Sequence, residues 1–138
     1  MSLLKFFKNF FVCGLLGWCM ECFWTGMNAI RTHKDKTLRC QTSVWMFPIY
    51  GMAVVIRPVY KVIKKLPALF RGGIYSLGIF SFEYLSGSLL KKHHMCPWDY
   101  SDAAANINGI IRLDYAPLWM LAGLLFERIL CISDKVKS

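Results

Sequence analysis

Four apolar stretches separated by basic clusters constrain the fold of this chain most strongly. They run over about residues 9–30, 42–63, 68–90 and 110–132, and a helix of about 20 residues crosses a ~30 Å hydrocarbon core. Hydrophobic residues make up 56% of the sequence and charged residues 18%, whereas soluble domains carry about a quarter charged residues. The pattern predicts an all-α integral membrane bundle of four transmembrane helices, forming a single domain over residues 1–138.

The net charge of +9 comes mainly from the ends of these stretches. Basic residues in that position suit topology signals and anionic lipid head groups, whereas a nucleic-acid-binding protein would carry them along one face. Four spans place both termini on one side of the membrane. That side holds ten of the 17 Lys and Arg residues. The sequence therefore predicts cytoplasmic termini, the lipid bilayer as a partner and no nucleic acid.

The amino terminus, with Lys5 and Lys8 before an apolar run, has the charge pattern of a signal peptide. No small-x-small cleavage motif follows, so we interpret it as a retained first helix.

Small and acidic residues share helical faces within the spans. Gly14, Gly17 and Glu21 lie on one face of the first span, and small residues there allow another helix to approach closely. Glu21 is therefore expected to point into the protein. A corresponding face of the third span carries Ser76, Phe80, Glu83 and Gly87.

Prolines and hydroxyl residues mark the ends of the predicted helices. Thr42 or Ser43 is a suitable N-cap for the second span. Pro48 and Pro58 are expected to kink that span, as membrane helices tolerate when neighbours satisfy the freed carbonyls. Pro67 suits the first turn of the third helix.

A polar, aromatic loop around Trp-Asp-Tyr-Ser separates the third and fourth spans. Up-and-down geometry predicts that it lies in the same membrane half as several acidic, amide and aromatic residues. The predicted ligand pocket consists of Glu21, Trp45, Glu83, Trp98, Asp99, Tyr100, Asn106, Asn108 and Asp114. Ionisable residues inside membranes commonly mark solute or ion pathways and require partners. The functional interpretation is an acidic pocket that binds or passes a small polar solute or cation.

The structural alternative assigns the same residues to stability. Glu21 and Glu83 would then hold helices together by hydrogen bonds, and Asp99 would cap a turn through Tyr100 and Ser101. Arg112 is one of the groups that could pair with the acids.

Other constellations indicate no specific chemistry. His93-His94 next to Cys96 follows two lysines, and adjacent histidines point in different directions, so we predict a solvated helix end and no metal site. Cys19 and Cys22 form a C-x-x-C without a second pair at zinc spacing. No P-loop, G-x-S-x-G, H-E-x-x-H or dinucleotide motif occurs, and the sequence does not indicate a cofactor.

Several blocks of the sequence resemble a bacterial family known as putative ABC-transporter permeases of the CmpB type. They are Gly17-Trp18 with Glu21, Pro48-Ile49-Tyr50-Gly51, Glu83-Tyr84-Leu85-Ser86-Gly87, Trp98-Asp99-Tyr100-Ser101 and Asn106-Ile107-Asn108-Gly109. The blocks Thr42-Ser43-Val44-Trp45, Cys96–Ser101 and Leu113-Asp114-Tyr115-Ala116 also resemble the eukaryotic transmembrane protein 229 group. The resemblance implies a multi-span membrane protein related to transport, in the bacterial plasma membrane.

Alternatives from other classes remain open at this point. A membrane-embedded enzyme acting on a lipid or lipid-linked substrate would use Glu21 or Glu83 as general base. A structural subunit would use the acids only to hold helices together, and a thiol oxidoreductase would use Cys19 and Cys22. Four short spans leave little room for a conduit, so we expect a homo-oligomer or a larger membrane complex.

Overall fold

Helices dominate the computed structural model, which describes residues 2–34 and 36–135. The helices are α1 (Leu3–His33), α2 (Met46–Gly51), α3 (Ile56–Ile63), α4 (Ala68–Lys92) and α5 (Ala116–Lys135). Short 3-10 turns cover Met52–Val55 and Leu113–Tyr115, and the strands β1 (Asn106–Ile107) and β2 (Ile111–Arg112) form a small antiparallel hairpin. The all-α class is confirmed.

Three helical runs are long and apolar enough to cross a membrane. They cover Leu3–Thr32, Met46–Ile63 and Leu113–Ser133. Helix α4 has 25 residues, which at 1.5 Å per residue is also long enough. Four glycines and four serines make it less apolar than the other three.

The second predicted span is two helices joined by a 3-10 turn. It starts at Met46, so the prediction that Thr42 or Ser43 caps it is wrong. Trp45 occupies the N-cap position without a side-chain hydrogen bond. The hydroxyl of Ser43 instead accepts from the Trp45 backbone N–H at 3.2 Å.

The two prolines of this span lie in first helical turns. Pro48 falls near the start of α2, and Pro58 falls near the start of α3, directly after the 3-10 turn. That these prolines kink the span stays a prediction.

The fourth predicted span begins later than residue 110. Ile111 and Arg112 form β2, and α5 starts at Ala116. Asn108 and Gly109 have φ values of 54° and 70°, and positive φ at both central residues is what a type I′ hairpin turn requires. Because the chain forms this turn, residues 110–112 belong to the hairpin and α5 starts after them.

The chain divides into two compact units, residues 1–54 and residues 55–138. In the first unit, α1 packs closely on α2 through glycines. A Cβ placed on Gly14 would lie 2.8 Å from the Phe47 ring, and one on Gly17 would lie 2.0 Å from Cγ of Tyr50. Glu21 accepts a hydrogen bond from the Tyr50 hydroxyl at 3.0 Å. The predicted close-packing face of the first span is confirmed.

In the second unit, α4 packs on α5. The predicted face of α4 is confirmed, because Ser76, Phe80, Glu83 and Gly87 are all buried. Close approach on the α5 side depends on Gly123, where a Cβ would lie 2.5 Å from Cβ of Tyr75.

Replacing Gly17 by alanine tests the α1–α2 contact. Overpacking typically costs about 1–3 kcal/mol, so we expect Gly17→Ala to lower the free energy of unfolding by about that amount. Gly78→Ala is the matched control, because a Cβ at that helical position meets no atom within 4 Å. The control should be neutral or stabilise by up to about 1 kcal/mol. Unfolding in detergent measures both, and equal stabilities would contradict the contact.

Candidate functional site

Trp98 fixes the loop that follows α4. Its indole N–H donates to the carbonyl of Ile110 at 2.8 Å. Its ring covers Gly87, where a Cβ would lie 2.8 Å from the indole and 2.6 Å from the Ile110 side chain. The indole also packs against a small buried apolar cluster, which consists of Phe80, Ile110 and Ile111. Gly87 is therefore required because only a residue without a side chain leaves room for the indole.

Asp99 caps the turn that Trp98 begins. Its carboxylate accepts from both the backbone N–H of Ser101 at 2.9 Å and the Ser101 hydroxyl at 2.5 Å. These hydrogen bonds lower the pKa of Asp99 below the ordinary value of an aspartate. The structural interpretation of Asp99 as a turn cap is confirmed.

The side chain of Asn106 joins two parts of the loop by hydrogen bonds. Its amide donates to the carbonyl of Ala103, and its side-chain oxygen accepts from the backbone N–H of Gly109 at 2.8 Å. The backbone N–H of Tyr100 donates to the carbonyl of Gly109 at 2.8 Å. Two ends of the loop that are distant in sequence are thereby held together.

Asn108 ties the hairpin turn to α4. Its amide donates to the Tyr84 hydroxyl at 2.8 Å, and its backbone carbonyl accepts from the Lys91 ammonium at 2.9 Å. Both partners lie on α4, so the hairpin is positioned against the last two turns of that helix.

Asp114 is held in a forked ion pair. Arg112 reaches its two carboxylate oxygens at 3.1 and 2.6 Å. The guanidinium lies over the ring of Tyr115, 4.4 Å from its centre. Tyr100 contacts the Tyr115 ring edge-on, with centres 5.6 Å apart. Arg112 is thus one of the partners that the acids were expected to need.

A surface pocket of about 630 Å³ lies between this loop and the end of α4. We call it the loop pocket, and it is lined by Ser88, Lys91, Lys92, Ser101, Asn106, Asn108, Gly109 and Ile110. Within the part of the chain that the structure describes, these lining residues supply two ammonium groups, two hydroxyls and two amides, and no carboxylate.

The remaining predicted site residues are divided between the two units. Glu83 is only 8% exposed on the buried face of α4. Glu21 and Trp45 belong to the first unit. Trp45 is 47% exposed at the start of α2. The convergence of Glu21 and Trp45 with the loop residues stays a prediction.

His93 and His94 lie at the end of α4. Both are exposed, and His93 is the C-cap residue. The prediction of a solvated helix end is confirmed.

A buried polar cluster around Glu127 was not predicted. Arg71 reaches both Glu127 oxygens at 3.1 Å, and the Tyr75 hydroxyl donates to the same carboxylate. A further N–H of Arg71 donates to the carbonyl of Leu66 at 2.7 Å. A basic residue near the start of one span and an acid near the end of the next could have indicated the pair, because antiparallel neighbours bring those positions to one level.

These features define an α-helical membrane protein with a structured polar loop between its last two long helices. The profile of the family described as "Putative ABC-transporter type IV", known as ABC_trans_CmpB, matches residues 8–135. The chain belongs to this family. It is an integral membrane protein, and the resemblance to the CmpB type is confirmed. The relation to the eukaryotic transmembrane protein 229 group stays a prediction. No solved structure matches the chain.

The pKa of Asp99 offers a test of the loop geometry. Ser101→Ala removes one of two donors to the carboxylate, so the pKa of Asp99 should rise toward its ordinary value. A depressed pKa stabilises the folded loop above the pKa of an unfolded aspartate, and this contribution is lost as pH falls through the folded value. NMR titration of the carboxyl carbon measures the pKa. Ser101→Thr retains the hydroxyl and should leave it low; an unchanged pKa in Ser101→Ala would contradict the turn.

Glu127→Ala should destabilise the second unit strongly. Removing one member of a buried ion pair typically costs about 3–5 kcal/mol, because the other charge is left buried without its partner. The Arg71 and Glu127 side chains are 19% and 11% exposed. The neighbouring Arg128 is exposed, so Arg128→Ala is the control and should change the free energy of unfolding by less than about 0.5 kcal/mol. Similar losses in the two variants would contradict the role of Glu127.

Proposed function

We propose that this chain is a membrane component of a transport system and binds a small anionic solute in the loop pocket. The observation that carries the proposal is the placement of Lys91 and Lys92 beside the side-chain amide of Asn108 in one pocket. Lysine ammonium groups bind phosphate and carboxylate as point charges. The name of the family points to transport.

The charge at the loop pocket supports an anion as the ligand. Asp99 directs its carboxylate to Ser101, and Asp114 directs its carboxylate to Arg112. Both acids are therefore engaged within the loop and its flanking turn. Neither carboxylate lines the loop pocket, whose own lining carries the two lysine ammonium groups.

The hydrogen bonds that shape the loop pocket also prepare it for a ligand. Lys91 is held by the carbonyl of Asn108, and Asn106 joins Ala103 to Gly109. Trp98 fixes the start of the loop against Gly87. A site whose groups are already positioned loses less conformational entropy on binding.

Binding of inorganic phosphate tests the proposal. Calorimetry with the full chain in neutral lipid nanodiscs would compare wild type with Lys92→Met. Losing one charge-assisted contact should raise the Kd for phosphate about tenfold, which corresponds to about 1.4 kcal/mol. The affinity of the wild type should fall as salt is raised, because exposed charges are screened.

Lys61→Met is the matched control for this experiment. Lys61 is an exposed lysine on α3 and does not line the loop pocket. It should bind phosphate like the wild type. Equal affinity of wild type and Lys92→Met, or no binding of phosphate or a small carboxylate by the wild type, would overturn the proposal.

A cation is the second candidate solute, and the burial of Glu83 favours it. This residue is 8% exposed on the α4 face that also packs against Trp98 and the loop. In that version Glu83 would form a charged wall, with Asp99 and Asn106 at the mouth. Stabilisation by a cation in wild type, absent from Glu83→Gln and Asp99→Asn, would favour this candidate over the anion.

The wider setting is part of the proposal. Large apolar side chains are exposed along α1, among them Leu4, Phe7, Phe11 and Leu15. Such a surface suits lipid tails or the helices of another subunit. We propose a bacterial plasma membrane location with cytoplasmic termini, in a homo-oligomer or a larger complex.

A further inference from the structure

The segment after α1 turns back and lies along that helix. We call residues 38–45 the return segment. The backbone N–H of Gln41 donates to the Thr25 hydroxyl at 2.9 Å, and the Trp18 indole donates to the carbonyl of Ser43 at 3.0 Å. Later residues of the return segment therefore contact earlier residues of α1, which is an antiparallel arrangement.

Gly26 brings the return segment close to α1. A Cβ on Gly26 would lie 3.0 Å from the carbonyl oxygen of Leu38 and 3.8 Å from Cβ of Cys40. Cys22 lies one helical turn before Gly26, on the same side of α1. The geometry thus places Cys40 next to Cys22.

The two cysteines lie on facing elements, Cys22 on α1 and Cys40 on the return segment. Cys40 is exposed and Cys22 is half-buried, and both are free thiols in this structure. Near Cys22 there are thus two other cysteines, Cys40 on the return segment and Cys19 on its own helix.

We infer that Cys22 and Cys40 form a redox-active pair whose disulfide fastens the return segment to α1. The oxidant is a disulfide of a thiol–disulfide exchange protein. The thiolate of one cysteine attacks one sulfur of that disulfide, which releases a thiolate and forms a mixed disulfide. The second cysteine then attacks the sulfur of the first. The Cys22–Cys40 bond forms, and the two electrons and two protons of the pair end on the oxidant, which leaves as a dithiol.

The return segment makes few other contacts, so a disulfide would contribute strongly to holding it in position. Of its eight residues only Ser43 is not exposed. Near this segment, α1 and α2 are joined by the hydrogen bond from Tyr50 to Glu21. In the oxidised protein the return segment is held against α1 covalently, and in the reduced protein it is held by hydrogen bonds and packing alone.

Oxidation of the full chain in detergent tests the pair. Wild type is treated with diamide, whose azo group takes up the two electrons and two protons and becomes a hydrazine. Remaining thiols are alkylated, and the protein is digested without reductant and mapped by mass spectrometry. We expect a peptide linked through Cys22 and Cys40, with complete loss after reduction.

Variants assign the bond. Cys19→Ser should retain the link, whereas Cys22→Ser and Cys40→Ser should lose it. The melting temperature of the wild type should fall on reduction, and that of Cys40→Ser should not change. A link between Cys19 and Cys22, or full alkylation of Cys22 and Cys40 after diamide treatment, would overturn the inference. The mapping uses the wild type, so its result stands even where a variant does not fold.

Discussion

The backbone must satisfy its own hydrogen bonds wherever lipid surrounds it, and this constraint governs what the two long non-helical connections, after α1 and after α4, can do. Each connection lies along the end of the helix before it. Gln41 and Ser43 contact Thr25 and Trp18 on α1, and Asn108 contacts Tyr84 on α4. Hydrocarbon around these stretches would leave peptide groups without partners.

The same constraint shortens the part of each helix that hydrocarbon can cover. Helix α1 has 31 residues, which is about 46 Å and longer than a ~30 Å core. A helix of this length therefore extends beyond the hydrocarbon core.

Two acids connect helices within their own units. Tyr50 contacts Glu21, and Arg71 and Tyr75 contact Glu127. For Glu21 this is the kind of contact that the structural alternative assigned to it. The positive charge lining the loop pocket comes from the end of α4, where lysines also compensate the carbonyl end of the helix dipole.

The sequence predicted helix faces well and local turns poorly. The face of Gly14, Gly17 and Glu21 could be read directly, because helical spacing determines it before any tertiary contact forms. The start of α5 could not, because Ile110 and Ile111 continue an apolar run while the Asn-Gly turn before them favours a hairpin. That dipeptide was a sufficient signal, and it was outweighed by hydropathy.

The Arg71–Glu127 pair and the loop pocket could not be predicted from the spacing of residues along the sequence. The pair depends on the register of α4 against α5, which packing at Gly72 and Gly123 sets. The loop pocket depends on where the hairpin folds, since the Lys91 ammonium donates to the carbonyl of Asn108 in the hairpin turn. Both are consequences of contacts between distant parts of the sequence.

The hairpin turn also affects how readily Asn108 undergoes deamidation. In an Asn-Gly sequence the glycine nitrogen can attack the preceding side-chain amide, which forms a succinimide and releases ammonia; water then opens the succinimide to aspartate or isoaspartate. The nitrogen of Gly109 is engaged with Asn106, and the amide of Asn108 is engaged with Tyr84. These two hydrogen bonds therefore protect the turn chemically as well as shaping it. Loss of the Asn108 amide would replace a donor to Tyr84 with a negative charge beside Lys91.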